Sequence, residues 1–147
     1  MPTIFTRILR GEEPARFVWR DDLCGAFLSA HPLRPGHTLV VPVEEVDSWL
    51  DLDTKLTGHL IGVSRVVGRA LQRVFNTAKI GLLIAGLEVP HVHVHLVPIH
   101  GLYDLDFDRQ DPDPDPAMMD DAAEAIRSAL RALGADHVPE EEDPNAD

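Results

Sequence analysis

The sequence predicts an α+β fold with a five-stranded antiparallel sheet, one long helix, a short N-terminal helix and a C-terminal helix. Two observations support this prediction. The expected elements follow one another as helix, three strands, long helix, two strands and helix, which differs from the βαβ alternation of a parallel sheet. Consecutive strands are also joined by short connections, which favour antiparallel pairing. With 147 residues, the chain is long enough to bury one hydrophobic core.

The N-terminal third begins with a short helical pattern and continues with three β-prone runs. In TIFTRILRG, Thr3 can cap the helix, the apolar residues share one face, and Gly11 can end it. The apolar runs ARFVWR, LCGAFLS and HTLVVPV follow, separated by the turn signals DD and HPLRPG. These runs predict three strands.

The middle of the chain predicts a long helix followed by two strands. Apolar residues recur at three- and four-residue steps over about 54–75, and Asp53 can cap this helix. Because Ile61 and Val66 widen the apolar stripe, we expect a second buried contact, with another copy of the chain. The runs KIGLLIAG and HVHVHLVP supply the last two strands.

The C-terminal third has a different composition. Residues 104–119 are polar, acidic and interrupted by prolines, which predicts an extended loop. A helix is expected over 120–134, with Gly134 as its stop. The acidic residues 135–147 are predicted to form a disordered tail. A single domain is therefore expected over residues 1–134.

Composition and charge argue against several classes of function. The net charge of −12 arises in the last third, because residues 1–103 hold ten basic and ten acidic side chains, whereas residues 104–147 hold three and fifteen. The sequence lacks the clustered basic residues that non-specific nucleic-acid binding needs. It also lacks a signal-peptide pattern and any run near the ~18 apolar residues of a membrane helix. Since Cys24 is the only cysteine, no intrachain disulfide is expected. We expect a cytoplasmic protein with neither a membrane nor a nucleic-acid partner.

The most distinctive stretch is HVHVHLVP, in which His91, His93 and His95 recur at a spacing of two. Alternate residues of a strand face the same side, so the three imidazoles should form one polar face. The outer two would lie about 13 Å apart at Cα, which disfavours one shared metal ion. A neighbouring pair could still bind zinc with a third ligand. Neutral imidazoles are also good nucleophiles towards phosphorus when the other ring nitrogen is held as N–H. No cofactor is expected.

Three ordered motifs are similar to those of the histidine triad family. They are the opening TIFTRILRGEEPARFVWRDD, the PGHTLVVP run at 35–42, and HVHVHLVP, and together they extend from Thr3 to Pro98. Members of that family are hydrolases or transferases that attack the α-phosphate of a nucleotide, usually an adenosine nucleotide. The resemblance therefore implies a nucleotide substrate, a covalent nucleotidyl-histidine intermediate and a homodimer.

The resemblance also implies a role for each matching residue. His93 would be the nucleophile, beside His91 and His95 in the phosphate site. His37 would support the nucleophile through hydrogen bonding. A further set would contact the nucleotide, and it consists of Ile4, Phe5, Ile8, Phe27, Ser29, Leu39 and Glu88. Its serine would bind the ribose, whereas for its five apolar members ordinary core packing is an equally good interpretation.

The sequence departs from the family pattern at positions that affect metal binding and substrate. Bacterial members that hold zinc use two cysteines and a histidine where this chain has Thr3, Thr6 and Glu45. The departure predicts that this chain holds no zinc. Leu87 and Glu88 replace a glutamine and a serine or threonine that normally contact phosphate or the leaving group.

Glu88 admits three interpretations. Its carboxylate repels a phosphate by about 1 kcal/mol when it is ionised and partly solvated, or it serves the leaving group by pairing with an amine or donating a proton, or it points away. A basic residue after the third motif is also missing, which argues against long polyphosphates. These departures favour a phosphoramidase-like activity. The alternatives are a dinucleoside polyphosphate hydrolase, or a nucleotide-binding or interaction protein that has lost catalysis.

Overall fold

The computed structural model, which describes residues 1–140, has the predicted α+β architecture. The strands are β1 (Phe17–Arg20), β2 (Cys24–Leu28), β3 (Thr38–Pro42), β4 (Lys79–Leu83) and β5 (Val94–Ile99). The α-helices are α1 (Ile4–Leu9), α2 (Thr54–Phe75) and α3 (Pro116–Ala132). All five strands pair antiparallel in the order β1-β2-β3-β5-β4, so β4 is an edge strand and β5 is paired on both sides.

The two faces of the sheet bury different sets of side chains. α2 and α3 pack on one face, over strand residues that include Val40, Val94 and Leu96. α1 packs on the other face, where Phe27 and Leu39 belong to a smaller cluster. Each fully buried side chain of this size contributes about 1.5–3 kcal/mol to folding. The two-residue alternation of β5 thus points Val94 and Leu96 into the larger core and His95 towards the α1 side.

The strand register brings the second and third sequence motifs side by side. Leu39 of β3 lies opposite His95 of β5, and across its other edge it lies opposite Phe27 of β2. His37, two residues before Leu39, is therefore a diagonal neighbour of His95 on the same face. Because β5 is an inner strand, this arrangement is held from both sides.

α2 begins and ends where its local sequence dictates, at the predicted bounds. The Asp53 carboxylate accepts a hydrogen bond from the Leu56 N–H at 2.7 Å at the N-terminus. Asn76 ends the helix in the left-handed conformation, with φ of 47°. In the described part of the chain, no helix has both the length and the apolar character needed to cross a membrane.

The C-terminal helix differs from the prediction at both ends. α3 runs from Pro116 to Ala132 instead of over 120–134. The Asp115 carboxylate caps it by accepting from the Ala117 N–H at 3.0 Å. Proline is tolerated at the first helical position, because no intrahelical hydrogen bond there requires its N–H. In sequence, such a proline looks the same as a loop proline, which explains the late predicted start.

The segment 104–119, predicted as an extended loop, is partly helical. The short 3-10 helices Leu102–Leu105 and Phe107–Arg109 shape its first half, and α3 begins before it ends. The N–H of Asp111 donates to the carbonyl of Pro32 at 3.0 Å. This bond ties the segment to the loop between β2 and β3.

Residues 135–140 pack on the domain. The backbone N–H of Arg20 donates to the carbonyl of His137 at 2.9 Å. The predicted disorder of 135–147 is therefore wrong for this part, and residues 141–147 lie outside the described residues.

Candidate functional site

The predicted histidines meet at a cavity of about 300 Å³ on the α1 side of the sheet. Three of the four line the cavity, whereas His91 is fully buried beside Phe5. The lining residues are Phe5, Ser29, Ala30, His31, His37, Leu39, Ala85, Gly86, Leu87, Glu88, Val89, His93, His95, Phe107 and Gln110. Apolar walls with a few polar groups are typical of a small-molecule site.

His93 immediately precedes β5, and its ring is oriented by the backbone beside it. Its Nδ1 lies 2.7 Å from the carbonyl oxygen of His91, and because a carbonyl only accepts, Nδ1 carries the proton. Nε2 of the neutral ring therefore keeps its lone pair. Burial is the main cause that lowers the pKa of His93, and the charge of His91 lowers it further. The hydrogen bond to the His91 carbonyl and the charge of Glu88 act in the opposite direction, but the net shift of the pKa is downward. The neutral, nucleophilic form is thus favoured near pH 7.

His37 and His95 form a second chain with defined tautomers. The N–H of Leu33 donates to His37 Nδ1 at 3.0 Å, so the proton of the neutral His37 ring lies on Nε2. This Nε2–H donates to His95 Nδ1 at 2.9 Å, which leaves the His95 proton on Nε2. Burial, together with the neighbouring rings, lowers the pKa of His37 to about 3 and that of His95 to about 4.

The hydrogen bond of His37 goes to His95 and not directly to His93. The sequence comparison assigned it to the nucleophile, but its hydrogen bond goes to His95, and His93 is held by the His91 carbonyl. The β3–β5 register explains the difference, because it makes His37 the diagonal neighbour of His95. His37 thus fixes the tautomer of the third histidine of the triad, whose Nε2–H has no partner among the described residues.

Four rings form a row along the cavity floor. The ring centroids of Phe5 and His93 are 4.8 Å apart, those of His93 and His95 are 4.8 Å apart, and those of His95 and Phe107 are 5.0 Å apart. Phe107 packs against His95 at 81°, edge to face. The ring of the third histidine is therefore packed against both His93 and Phe107.

Phe107 and Gln110 were not identified from the sequence, because only an extended loop was predicted for their acidic segment. Both are half-buried and line the cavity. The Gln110 side chain makes no hydrogen bond to the described chain, so its amide is available to a ligand. An aromatic residue inside a segment rich in Asp and Pro was the available signal, since such a side chain usually seeks a buried contact.

The expected nucleotide contacts divide into two groups. Phe5, Ser29, Leu39 and Glu88 line the cavity, whereas the other three do not. Those three are Ile4, Ile8 and Phe27, which pack in the smaller hydrophobic cluster behind the cavity wall. For them the structure supports core packing, because they pack with Phe5 and Leu39 and do not line the cavity.

The charge of the cavity is unusual for a site that would bind several phosphates. Among its lining residues, all in the described chain, there is no Lys or Arg, and Glu88 is the only carboxylate. Leu87, at the neighbouring position, is 94% exposed. The departures at 87 and 88 therefore lie at the rim of the site and reduce its attraction for anions.

The residues that replace the zinc ligands of other family members converge on His91. Glu45 Oε1 accepts from the Thr3 N–H at 2.8 Å and from the Thr6 hydroxyl at 2.5 Å. The Thr3 hydroxyl lies 2.6 Å from His91 Nδ1. Two hydroxyls and one carboxylate that already bond to one another do not fit zinc, which prefers thiolate and imidazole. The absence of zinc stays a prediction.

A second group of potential metal ligands lies outside the cavity. The ligand atoms of Asp21, Cys24 and His59 lie within 4.8 Å of one another. The Asp21 carboxylate, however, already accepts hydrogen bonds from Trp19, Leu23, Cys24 and His59. Although burial opposes it, these bonds lower the pKa of Asp21 to about 2. The hydrogen bonds account for the arrangement without a metal.

Comparison with known proteins agrees with this geometry. The sequence matches the HIT domain family over residues 10–102. It is 38% identical over 102 residues to an uncharacterized HIT-like protein of Borreliella burgdorferi, covering 65% of this chain and 73% of that protein. It is 25% identical over 100 residues to an adenylylsulfatase of Arabidopsis thaliana, covering 65% of this chain and 51% of that one. A zinc-bound histidine triad family protein from Mycobacterium smegmatis superposes with a TM-score of 0.74 at 25% identity, over 89% of this chain and 94% of that one.

Proposed function

The chain belongs to the HIT, or histidine triad, family of nucleotide-binding hydrolases and transferases, and we propose that it transfers a nucleotidyl group through His93. The single observation that carries this proposal is the tautomer of the ring. Its Nδ1–H is held by the His91 carbonyl at 2.7 Å, so the lone pair on Nε2 is directed to the substrate. Family membership supplies the α-phosphate as the target.

The proposed reaction has two balanced steps. His93 Nε2 attacks the α-phosphorus, an N–P bond forms, and the bond from phosphorus to the leaving group breaks with its electron pair. The His93 ring then carries a positive charge, which the Nδ1–H bond to the His91 carbonyl stabilises. The leaving group takes up one proton as it departs. Water next attacks the phosphorus and releases one proton, the N–P bond breaks, and the ring regains its lone pair while the nucleoside monophosphate leaves, so that protons balance over the two steps. In a transferase, another acceptor replaces the water.

The other groups in the cavity bind and orient the substrate. The Nε2–H of His95 would donate to a phosphate oxygen, since His37 fixes its tautomer from behind. Phe5 and Leu39 offer apolar contact to a base, and the Ser29 hydroxyl can hydrogen-bond a ribose hydroxyl. An adenosine nucleotide is the proposed substrate.

The proposed leaving group is an amine, as in a nucleoside phosphoramidate. Because Glu88 is the only carboxylate among the described residues of the cavity wall and no lysine or arginine there offsets it, negative charge beyond the α-phosphate is disfavoured. Glu88 can pair with a cationic amine or donate a proton to it as it leaves. The Arabidopsis thaliana relative is named an adenylylsulfatase, which makes an adenosine phosphosulfate the alternative substrate.

A homodimer is part of the proposal. The edge strand β4 leaves Leu82 48% exposed, and α2 leaves Ile61 38% exposed. Single exposed apolar side chains are common on protein surfaces and do not by themselves indicate a dimer. The combination of an unpaired strand edge and an apolar helix face is stronger support for one. Light scattering should give twice the chain mass, and a monomeric mass would contradict this part.

The test of the function compares substrates across three proteins. Wild type, His93→Ala and the control His59→Gln, whose histidine lies outside the cavity, are each incubated with adenosine phosphoramidate, adenosine phosphosulfate and a dinucleoside polyphosphate. We expect wild type and the control to release AMP fastest from the phosphoramidate, and His93→Ala to release none. If no substrate is turned over by wild type while AMP still binds, the chain is a nucleotide-binding protein and the enzyme proposal is wrong.

A further inference from the structure

We propose that Thr3 and Glu45 are positioning residues for the nucleophile, acting through the ring and the carbonyl of His91. The inference rests on the proposed role of His93. It assigns a purpose to the hydrogen-bonded cluster at the N-terminus of α1, whose side chains do not touch the cavity. The hydrogen bonds of this cluster hold His91 in place. Zinc does not fit this role here, because the cluster offers hydroxyls and a carboxylate instead of thiolates.

The first step is the clamp on the His91 ring. His91 Nε2 lies 2.8 Å from the carbonyl oxygen of Pro42, so it carries a proton and donates it. In the neutral ring Nδ1 must then accept, and its partner is the Thr3 hydroxyl at 2.6 Å. Both ring nitrogens are thus satisfied in a side chain that is fully buried. The ring has one orientation and one tautomer.

The second step leads from the ring to the nucleophile. The carbonyl of His91 accepts the Nδ1–H of His93 at 2.7 Å, so the orientation of this peptide unit sets the orientation of the His93 ring. Between the two histidines, the Val92 N–H donates to the carbonyl of Val46 at 2.7 Å. The peptide is therefore held from both sides.

The third step is the role of Glu45, which lies next to Val46 in sequence. Its Oε1 accepts from the Thr3 N–H and from the Thr6 hydroxyl, so it fixes the first turn of α1 against the strand that carries Pro42. Thr3 also accepts from the Thr6 N–H at 3.2 Å as the cap of α1. The same short helix carries Phe5, whose ring packs on His93 at 4.8 Å.

One connected set of bonds therefore runs from Glu45 through Thr3 and His91 to His93. The buried His91 ring, with both nitrogens bonded, is already ordered before His93 reacts. Little entropy is then lost on reaching the transition state, which lowers the activation barrier. Small displacements of a reacting atom are costly, with losses of up to about a hundredfold for a shift near 1 Å.

The test compares Thr3→Val with Thr3→Ser. Valine removes the hydroxyl at nearly constant volume, and serine restores both the donor to His91 and the helix cap. Asp53→Ala is the matched control, because it removes the N-terminal cap of α2 far from the site. For each protein we measure kcat with adenosine phosphoramidate, the Kd of AMP, and the Tm.

We expect Thr3→Val to lower kcat about tenfold, with the Kd of AMP nearly unchanged, and Thr3→Ser to recover most of the rate. Asp53→Ala should lower Tm and leave kcat at the wild-type value. If Thr3→Val loses Tm but keeps kcat, or if Thr3→Ser is as slow as Thr3→Val, the positioning role is wrong. Should Thr3→Val not fold, Glu45→Ala is measured in its place, with a loss of kcat in the same direction expected.

Nitrogen NMR of the imidazoles separates this inference from the proposed function. Wild type should show His91 with its proton on Nε2 and His93 with a slowly exchanging proton on Nδ1, whatever substrate it uses. Thr3→Val should shift the His91 signals and speed the exchange of the His93 Nδ1 proton. Unchanged signals in Thr3→Val would overturn the inference even if the enzyme is active. An inactive wild type with the expected signals would overturn the function alone.

Discussion

Replacing His37 by glutamine should reduce the loss of stability that acid causes. In the folded chain, burial and the neighbouring rings keep the pKa of His37 at about 3 and that of His95 at about 4. An unfolded histidine takes up a proton near pH 6.5. Protons therefore bind the unfolded chain preferentially, and stability rises with pH over the interval between these values.

The loss of unfolding free energy at pH 5 is nearly independent of the two folded pKa values, because both lie below 5. Each ring should cost about 2 kcal/mol of unfolding free energy between pH 7 and pH 5. The contribution is fully present above pH 6.5 and is lost as the pH falls towards the folded pKa values. Two rings thus remove about 4 kcal/mol, a large share of the ~5–15 kcal/mol of a typical domain.

The assay is urea unfolding of wild type and His37→Gln at pH 7 and pH 5. The glutamine amide can accept from Leu33 and donate to His95, which preserves the bonds of the imidazole. We expect the variant to lose about 2 kcal/mol less than wild type between the two pH values. Ser64→Ala, which removes a buried hydroxyl that does not titrate, should keep the wild-type difference. Equal losses in His37→Gln and wild type would refute the claim that this ring is held neutral.

Three further predictions concern the rim of the cavity and the cluster at α1. Glu88→Gln removes the only carboxylate among the described residues of the cavity wall, so turnover of adenosine phosphosulfate should rise about fivefold relative to adenosine phosphoramidate. An unchanged ratio in steady-state kinetics would show that Glu88 points away. Gln110→Ala removes an amide that has no partner in the described chain and should raise KM severalfold. The control Asp108→Asn, in the exposed part of the same segment, should leave KM unchanged. Equal KM values for the two variants would show that Gln110 does not contact the substrate. A triple variant should retain one zinc ion after dialysis, because it restores ligands that zinc prefers; it combines Thr3→Cys, Thr6→Cys and Glu45→His. Metal analysis should find no zinc in dialysed wild type. Zinc in wild type would contradict the prediction for this chain.

The backbone of this protein could be predicted because its patterns are local. The two-residue alternation of His91, His93 and His95 with apolar residues identified one polar face, and the structure has these residues on the α1 side of the sheet. The capped, periodic helix over 54–75 was equally visible, and its bounds are confirmed. Such features depend on a few neighbouring residues and therefore survive without tertiary information.

The contacts that could not be predicted depend on register and on distant segments. The pairing of His37 with His95 requires the β3–β5 register, which no local pattern encodes. Phe107 reaches His95 only because its acidic segment returns to the sheet. Phe27 was expected either to contact the nucleotide or to pack in the core, and the structure buries it in the smaller cluster and not on the cavity wall.

The most direct test of the proposed function is to trap the covalent intermediate. Wild type is mixed with adenosine phosphoramidate, quenched within milliseconds and analysed by intact mass and peptide mapping. We expect one adenylyl group on the peptide that contains His93, formed and consumed at rates that match turnover, and no such adduct in His93→Ala. Turnover by wild type without an adduct, together with turnover retained in His93→Ala, would contradict the proposal that His93 is the nucleophile.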